Sequence, residues 1–131
     1  MPEVGIVIPA HASALGKAIV AFNEADAAPL LSATPLRSMT GETVTSSAEL
    51  KERLADIATT GIATEQDEAV LGESALAAAV FDASGAAIGA IGLVVPSVNW
   101  PVDPITHDAL REAARAISRE LGALSWPIPI G

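Results

Sequence analysis

The sequence has 131 residues, 16 of them acidic and seven basic, so its formal net charge at neutral pH is −9. Proteins grip duplex DNA mainly through Lys and Arg at the phosphates, so this charge argues against direct nucleic-acid binding. The chain contains no cysteine, which excludes disulfides, thiolate metal sites and cysteine nucleophiles. A chain of this length hides roughly two-thirds of its unfolded surface, and we expect a single domain over residues 1–131.

Nothing in the sequence indicates a membrane or an export signal. The longest apolar run extends from Ala86 to Pro96, which is too short to cross a hydrocarbon layer as a helix. The first ten residues lack the basic start of a secretory signal peptide. We therefore expect a cytoplasmic protein with no membrane partner.

The first third of the chain predicts two helices. Ser13 to Phe22 is expected to form the first, with its apolar face made by Leu15, Ala18, Ile19 and Phe22. Asn23 is a typical N-cap for a second helix through Leu31, although Pro29 fits poorly inside it. Ser32 to Thr45 shows no helical periodicity and predicts an irregular surface connection.

A capping box predicts the start of a third helix. The Ser46 hydroxyl and the Glu49 carboxylate can each satisfy a free backbone N–H there. Glu49 also lies four residues before Arg53, which favours an ion pair, and Gly61 predicts the end of the helix. The side chains expected to face the core are Leu50, Leu54, Ile57 and Ala58.

The second half of the chain predicts a sheet covered by a long helix. The expected strands are Ile62 to Glu65, Ser74 to Phe81 and Ile88 to Val95, with a hairpin turn at Asp82 to Gly85. Adjacent antiparallel pairing is the simplest topology. Pro104 to Leu124 predicts a helix whose core side would be formed by Leu110, Ala113, Ala114, Ile117 and Leu121. The fold class is therefore α+β.

The two histidines and the glycines of the last strand give no metal or cofactor motif. His11 and His107 lack the close spacing of paired metal ligands, so we expect His11 to pack or cap and His107 to lie on an exposed first turn. Gly85, Gly89 and Gly92 do not form GxGxxG, and close strand packing explains them better. We expect neither a metal nor a cofactor.

The densest polar cluster leaves two interpretations open. It consists of Glu65, Asp67, Glu68 and Glu73. An extended strand would put Glu65 and Asp67 on one face. The cluster is then either a solvated negative edge or the source of a ligand-facing acid, Glu65 or Asp67; a hydrolase using this pair is a third and weaker hypothesis.

A basic stripe lies on the last predicted helix. Arg111, Arg115 and Arg119 recur every four residues. Acidic residues lie among them, so the stripe favours a salt-bridged solvent or subunit face over a nucleic-acid site. The interleaved acids are Asp108, Glu112 and Glu120.

The segment from Pro9 to Lys17 combines a helix start with small side chains. Free N–H groups at a helix start attract negative groups, and Ala12 and Ala14 let a ligand approach the backbone. The same residues are also common in helices that bind no ligand. The segment is thus an ingredient of a binding site, but not a site by itself.

Ile8 to Ala18 resembles the segment that opens the effector domain of IclR-family transcriptional regulators. The similarity continues in order and spacing through Leu50–Gly61, the run from Gly61 to Glu68, Gly72, Ala77–Asp82, Gly85, Ile88–Pro96 and the closing helix. The resemblance implies a GAF-like antiparallel sheet with helices packed on it. It also implies a non-enzymatic domain that binds a small metabolite and alters the DNA affinity of an attached helix-turn-helix domain.

The resemblance also implies the ligand-binding residues. They are Ala14, Leu15, Gly16, Glu65, Ala75, Gly92 and Val94. Where relatives tend to offer serine hydroxyls, this chain has Ala75, Gly92 and Val94, so a hydrophilic keto-acid would lose several hydrogen bonds. Our hypothesis is a more apolar or neutral effector.

One departure from the family concerns the N-terminus. The helix-turn-helix domain and the first helix and strands of the effector domain are absent from this sequence, so the resemblance covers only the later part of that domain. The sheet should keep an open edge unless a second chain covers it, and we expect a homodimer or homotetramer. The alternative function is a structural or oligomerisation fragment whose ligand pocket is incomplete.

Overall fold

The computed structural model describes residues 9–32 and 36–126, without the side chain of Glu24. Within these residues the chain forms four α-helices and one three-stranded sheet, with short 3₁₀ turns at Ala10–Ala12 and Ser97–Asn99. In chain order the elements are α1 (Ala14–Val20), α2 (Glu24–Ser32), α3 (Ser47–Thr60), β1 (Ile62–Gln66), β2 (Glu73–Phe81), β3 (Ala87–Pro96) and α4 (Pro104–Glu120). The α+β prediction is confirmed.

The sheet is antiparallel with the strand order β1-β2-β3. Its register places Ala75 of β2 between Glu65 of β1 and Val94 of β3, and it places Ala77 opposite Gly92. The hairpin turn begins at Asp82, whose carboxylate accepts the N–H groups of residues 84 and 86. All three predicted strands are confirmed to within a residue at each end.

The central strand is covered on both faces. Every residue of β2 after Glu73 is buried, so both alternating sets of its side chains are shielded from water. Both α1 and α4 pack on this strand. Leu15 reaches the face that carries Ala77, because a Cβ built on Gly92 would lie 3.2 Å from a Leu15 methyl and 3.5 Å from the Ala77 Cβ.

The helix ends follow the predicted local signals. The Ser46 hydroxyl accepts the Glu49 N–H at 3.3 Å, and the Glu49 carboxylate lies 3.3 Å from Arg53. Asn23 likewise accepts the Asp26 N–H at the start of α2. Gly61 closes α3 with a left-handed φ of 76°, as the C-cap prediction requires.

The apolar face predicted for α1 was wrong in part. The helix buries Ala14, Lys17 and Ala18, whereas Leu15 is 45% exposed. The helix is rotated because the Lys17 ammonium makes a buried ion pair, described below, and this draws the Lys17 side inward. Phe22, just after the helix, still packs edge-on against Phe81, with ring centroids 4.9 Å apart.

The face predicted for α4 also needs correction. The buried residues are Leu110, Ala114 and Ser118, which recur every four residues. Ser118 belongs to this row because its hydroxyl accepts the Phe81 N–H at 3.0 Å and donates to the Ala114 carbonyl. Three residues predicted to be buried on α4, and Ala58 on α3, are exposed instead. The three are Ala113 and Ile117 on α4 and Leu121 just after it, because the helix ends at Glu120 and not at the predicted Leu124.

The connection after α2 is irregular, as predicted, but it is not purely a surface segment. Leu36, Thr43 and Val44 are buried. Leu36 belongs to the hydrophobic core, and the Thr43 hydroxyl holds the loop after β1 by donating to the Glu68 carbonyl. Residues 33–35 of this prediction lie outside the described residues. None of the described helices is long and apolar enough to span a membrane.

Candidate functional site

A cavity of about 240 Å³ lies between the start of α1 and the sheet. Its floor consists of very small residues, Ala75 and Ala77 on β2 and Gly92 on β3, which the strand register brings together. Its walls come from α1 and from the loop that joins β1 to β2. The lining residues are Ser13, Ala14, Leu15, Glu65, Ala69, Val70, Glu73, Ser74, Ala75, Leu76, Ala77, Gly92, Leu93 and Val94.

Six of the seven residues implied by the family resemblance line this cavity. They are Ala14, Leu15, Glu65, Ala75, Gly92 and Val94. Gly16 does not line it. A Cβ at Gly16 would lie 2.7 Å from the Ala10 Cα, so this glycine allows α1 to pack closely on the preceding 3₁₀ turn.

Three backbone donors at the start of α1 bond to groups of the chain itself. The Ala14 N–H donates to Glu65 Oε1 at 3.1 Å. The Gly16 N–H donates to the Ser13 hydroxyl at 3.3 Å, and the Lys17 N–H to the Ser13 carbonyl at 2.9 Å. The attraction of this helix start for a negative group is therefore met in part by the carboxylate of Glu65.

Glu65 is the titratable group whose surroundings matter most for the cavity. Burial raises the pKa of its carboxyl above the ordinary value, because the charged form loses water. The Ala14 N–H and the positive charge of Lys17 act in the opposite direction without cancelling the effect of burial. Glu65 thus presents a partly desolvated carboxyl to a largely apolar space.

Several lining residues were not predicted. Strand alternation from Ala75 would have found Glu73 and Ala77, which point to the same face. No local signal predicts Ala69 and Val70, because they reach the cavity only through the path of the loop after β1. The other unpredicted lining residues are Ser13, Ser74, Leu76 and Leu93.

An ion pair anchors that loop. Lys17 Nζ lies 2.8 Å from Glu68 Oε1, and the two side chains are 1% and 6% exposed. The second Glu68 oxygen accepts the Gln66 N–H at 3.1 Å, and the Thr43 hydroxyl donates to the Glu68 carbonyl. The interpretation of this acidic cluster as a solvated edge is therefore wrong for Glu68.

Asp67 anchors the same loop from its other side. It adopts a left-handed φ of 57°, and its Oδ1 accepts hydrogen bonds from the Gly72 N–H at 2.8 Å and the Ser97 hydroxyl at 2.6 Å. The Ser97 hydroxyl lies 2.8 Å from that of Ser74, which lines the cavity. Asp67 has left the strand and lines a separate polar groove, so it does not share the face of Glu65.

The remaining candidates lie apart from the cavity. His11 is buried, with Nε2 2.6 Å from the Arg37 carbonyl oxygen, which agrees with its predicted packing role. His107 is partly exposed in the first turn of α4, with Nδ1 3.8 Å from an Asp108 oxygen. No group of three or more His, Asp or Glu residues able to hold a metal ion occurs among residues 9–32 and 36–126.

The salt bridges predicted for the basic stripe of α4 include one at Arg115, which pairs with Glu112 at 3.0 Å on the outer side of the helix.

The close packing predicted for three glycines is found at one of them. Gly92 is closely packed, whereas a Cβ at Gly89 would meet nothing within 4 Å. The prediction of close packing was therefore wrong for Gly89 and also for Gly85, which serves a turn with φ 83°.

Comparison with known proteins gives this site a family. The model of the family described as bacterial transcriptional regulator IclR C-terminal matches residues 1–119. The chain belongs to the IclR family. The arrangement of four helices and a three-stranded antiparallel sheet in the described residues agrees with solved IclR C-terminal structures.

Three relatives illustrate the similarity of this IclR domain. The glycerol operon regulatory protein of Streptomyces griseus is 37% identical over 125 residues, which cover 92% of this chain and 49% of that protein. The crystal structure of Thermotoga maritima IclR superposes with a TM-score of 0.81 at 27% identity, over 93% of this chain and 51% of that one. The chain thus spans about half the length of these relatives.

The third relative was solved with a ligand. It is a double mutant of the inducer-binding domain of the PobR transcription factor from Acinetobacter, in complex with 3-hydroxybenzoic acid. It superposes with a TM-score of 0.72 at 25% identity and covers 93% of this IclR domain and 70% of that chain.

Proposed function

We propose that this IclR domain binds a small-molecule effector in the cavity beside α1 and thereby controls DNA binding by a helix-turn-helix domain. The observation that carries the proposal is the cavity of about 240 Å³, lined by six of the seven residues that the resemblance implies. Occupancy would act through different affinities for two conformations of the domain, without covalent chemistry.

The composition of the cavity supports an apolar or neutral effector. Ala75, Gly92 and Val94 offer no side-chain hydrogen bond, and each hydrogen bond that a hydrophilic acid forgoes is worth about 1 kcal/mol. The volume equals that of about eight water molecules at roughly 30 Å³ each. A compact molecule of the size of the 3-hydroxybenzoic acid bound by PobR suits this space.

The positions of Glu65 and Asp67 argue against the hydrolase hypothesis, which pairs these two residues. Glu65 lines the apolar cavity, while Asp67 faces a polar groove and is bonded to Ser97 and Gly72. General acid–base catalysis by two carboxylates requires them to converge on one bound molecule. The domain is accordingly proposed as a cytoplasmic sensor that needs no cofactor or membrane and reaches DNA only through another domain.

We also propose that the domain forms a homodimer or homotetramer. Within the described part of the chain, β3 pairs with β2 alone, and Ile88 and Val94 on it are 54% and 64% exposed. Open strand edges with apolar side chains promote association. Light scattering at micromolar concentration should give at least twice the mass of one chain; a monomer there would contradict this part of the proposal.

The experiment for effector binding is a thermal unfolding screen. The panel should contain glyoxylate, 3-hydroxybenzoate, benzyl alcohol and benzylamine. A ligand at a hundred times its Kd should add about 2.7 kcal/mol to the free energy of unfolding. Tight binding of glyoxylate would reject the apolar preference while leaving the sensor function standing.

Two glycines on the same strand provide a matched pair of variants. A Cβ at Gly92 would enter the cavity and meet Leu15 at 3.2 Å, whereas one at Gly89 would meet nothing within 4 Å. Gly92→Ala should therefore weaken binding of any ligand found in the screen, and Gly89→Ala should leave it unchanged. If no compound of the panel or of a larger metabolite library stabilises the protein, the alternative of an oligomerisation fragment is favoured.

A further inference from the structure

The charges that line the cavity all have one sign. Glu65 and Glu73 are the only charged side chains among its described lining residues, which include no Lys, Arg or His. They lie on the same face of the sheet, because Glu65 is opposite Ala75 and Glu73 is two residues before Ala75 on the same strand. Among the described lining residues, an occupant of the cavity would therefore meet the Glu65 carboxyl group and no Lys, Arg or His.

Lys17, whose positive charge acts on Glu65, is paired with another carboxylate. Lys17 contributes a favourable charge to Glu65, but its ammonium is 2.8 Å from Glu68 Oε1 and is 1% exposed. It lies in the core behind the helix and does not line the cavity. A negatively charged ligand consequently has no partner of opposite charge available from Lys17.

Some of the donors beside the cavity are already in use. Glu65 already accepts the Ala14 N–H, and Ser13 already accepts the Gly16 N–H. The Ser74 hydroxyl is 2.8 Å from that of Ser97. An acid would thus bring a second carboxylate beside that of Glu65 into a largely apolar space, where losing its hydration is costly.

We propose that the cavity selects an effector with a primary amine on a small apolar body and discriminates against the acid of the same shape. The inference rests on the proposed function, because it requires that the cavity binds an effector. The apolar body would lie over Ala75, Ala77 and Gly92, and the ammonium would donate to Glu65. Charge-assisted hydrogen bonds of this kind are stronger than neutral ones, and here the added charge would also compensate the partly buried carboxyl group of Glu65.

Three compounds of one shape test the inference on the 131-residue protein: benzylamine, benzyl alcohol and benzoate. Isothermal titration at neutral pH should rank their affinities in that order, with benzylamine at least tenfold tighter than benzoate. Benzoate binding as tightly as benzylamine would overturn the inference. So would binding of benzyl alcohol alone, which would still leave the proposed sensor function in place.

A charge-neutral variant assigns the selectivity to one residue. Glu65→Gln keeps the length of the side chain and an acceptor for the Ala14 N–H but removes the charge, so it should reduce the preference for benzylamine over benzoate several-fold. Glu120→Gln, an exposed position at the end of α4, removes the same charge from the whole protein and should leave the ratio unchanged. An equal effect of both variants would mean that net charge governs the preference. Absence of binding by all three compounds overturns the inference, and the metabolite screen above then decides whether the sensor function fails as well.

Discussion

Lys17 Nζ lies 2.8 Å from Glu68 Oε1, and this contact joins two walls of the cavity across 51 positions of the chain. Lys17 belongs to α1, whose first residues form one wall. Glu68 directly precedes Ala69 and Val70, which form another. A buried ion pair therefore joins the helix and the loop that line the cavity.

Breaking this ion pair should be costly. Lys17→Met or Glu68→Gln would leave the partner buried without its counterpart, and such changes cost about 3–5 kcal/mol. The exposed pair of Glu49 and Arg53 is the control, since Glu49→Gln should cost less than about 1 kcal/mol. Urea unfolding of the three variants measures the difference. Equal losses for buried and exposed pairs would show that Lys17 and Glu68 do not depend on each other.

Gly61 should tolerate no side chain. Its φ is 76°, and an added Cβ would clash with the Trp126 ring. Gly61→Ala should therefore cost more than the roughly 1 kcal/mol of left-handed strain alone. Gly41→Ala, where a Cβ meets nothing within 4 Å, should change stability by less than about 0.5 kcal/mol. Chemical denaturation of both variants tests this expectation, which would be wrong if the two losses were alike.

The buried hydroxyl of Ser118 should contribute to stability through its two hydrogen bonds. It accepts the Phe81 N–H at 3.0 Å and donates to Ala114, so Ser118→Ala leaves a buried donor unsatisfied at a cost of about 1–3 kcal/mol. Thr59 donates to the carbonyl four residues earlier in the same way, but on an exposed surface. Thr59→Ala should therefore be close to neutral. Amide exchange at Phe81 should also accelerate in Ser118→Ala, and unchanged protection there would contradict the role of this bond.

The stability of the protein should depend on pH in a way that Glu65→Gln reveals. Because burial raises the pKa of Glu65, the folded form binds this proton more tightly than the unfolded form does. Glu65 therefore opposes folding as the pH rises from its usual value of 4.5 through the raised pKa. Glu65→Gln should gain stability relative to the wild type over that interval.

Two other acids act in the opposite sense and stay in both proteins. Hydrogen bonds from Ser84 lower the pKa of Asp82, and those from Thr106 lower the pKa of Asp103. Their contributions are lost as the pH falls, so both proteins should weaken in acid. Denaturation midpoints compared with those of Glu120→Gln isolate Glu65. A constant difference between Glu65→Gln and the wild type across this range would contradict its raised pKa.

The secondary structure was predictable because its signals are local. Ser46 and Gly61 mark the two ends of α3 by their own chemistry, and the turn at Asp82 marks the hairpin. The orientation of the helices was less predictable. Periodicity alone predicts that Lys17 lies on the surface, because the Glu68 carboxylate that permits its burial is distant in sequence.

The site was predictable to the extent that it lies on regular elements. Gly92 and Val94 are two residues apart on β3, and Ala75 is opposite Val94 on β2. All three therefore face the cavity, as the family resemblance implies. Ala69 and Val70 could not be predicted, because a loop held by side chains of other elements brings them to the cavity. Gly16 was assigned to the site, yet its missing side chain serves the packing against Ala10.

The floor of the cavity is made of methyl groups and one bare backbone position, at Ala75, Ala77 and Gly92. A substitution by a slightly larger residue there alters the volume of the space without removing any cap, ion pair or hydrogen bond of the scaffold. If the cavity binds an effector as proposed, single substitutions there would change the range of molecules that fit by about one carbon atom at a time. Such substitutions would change which ligands fit while the fold stays the same.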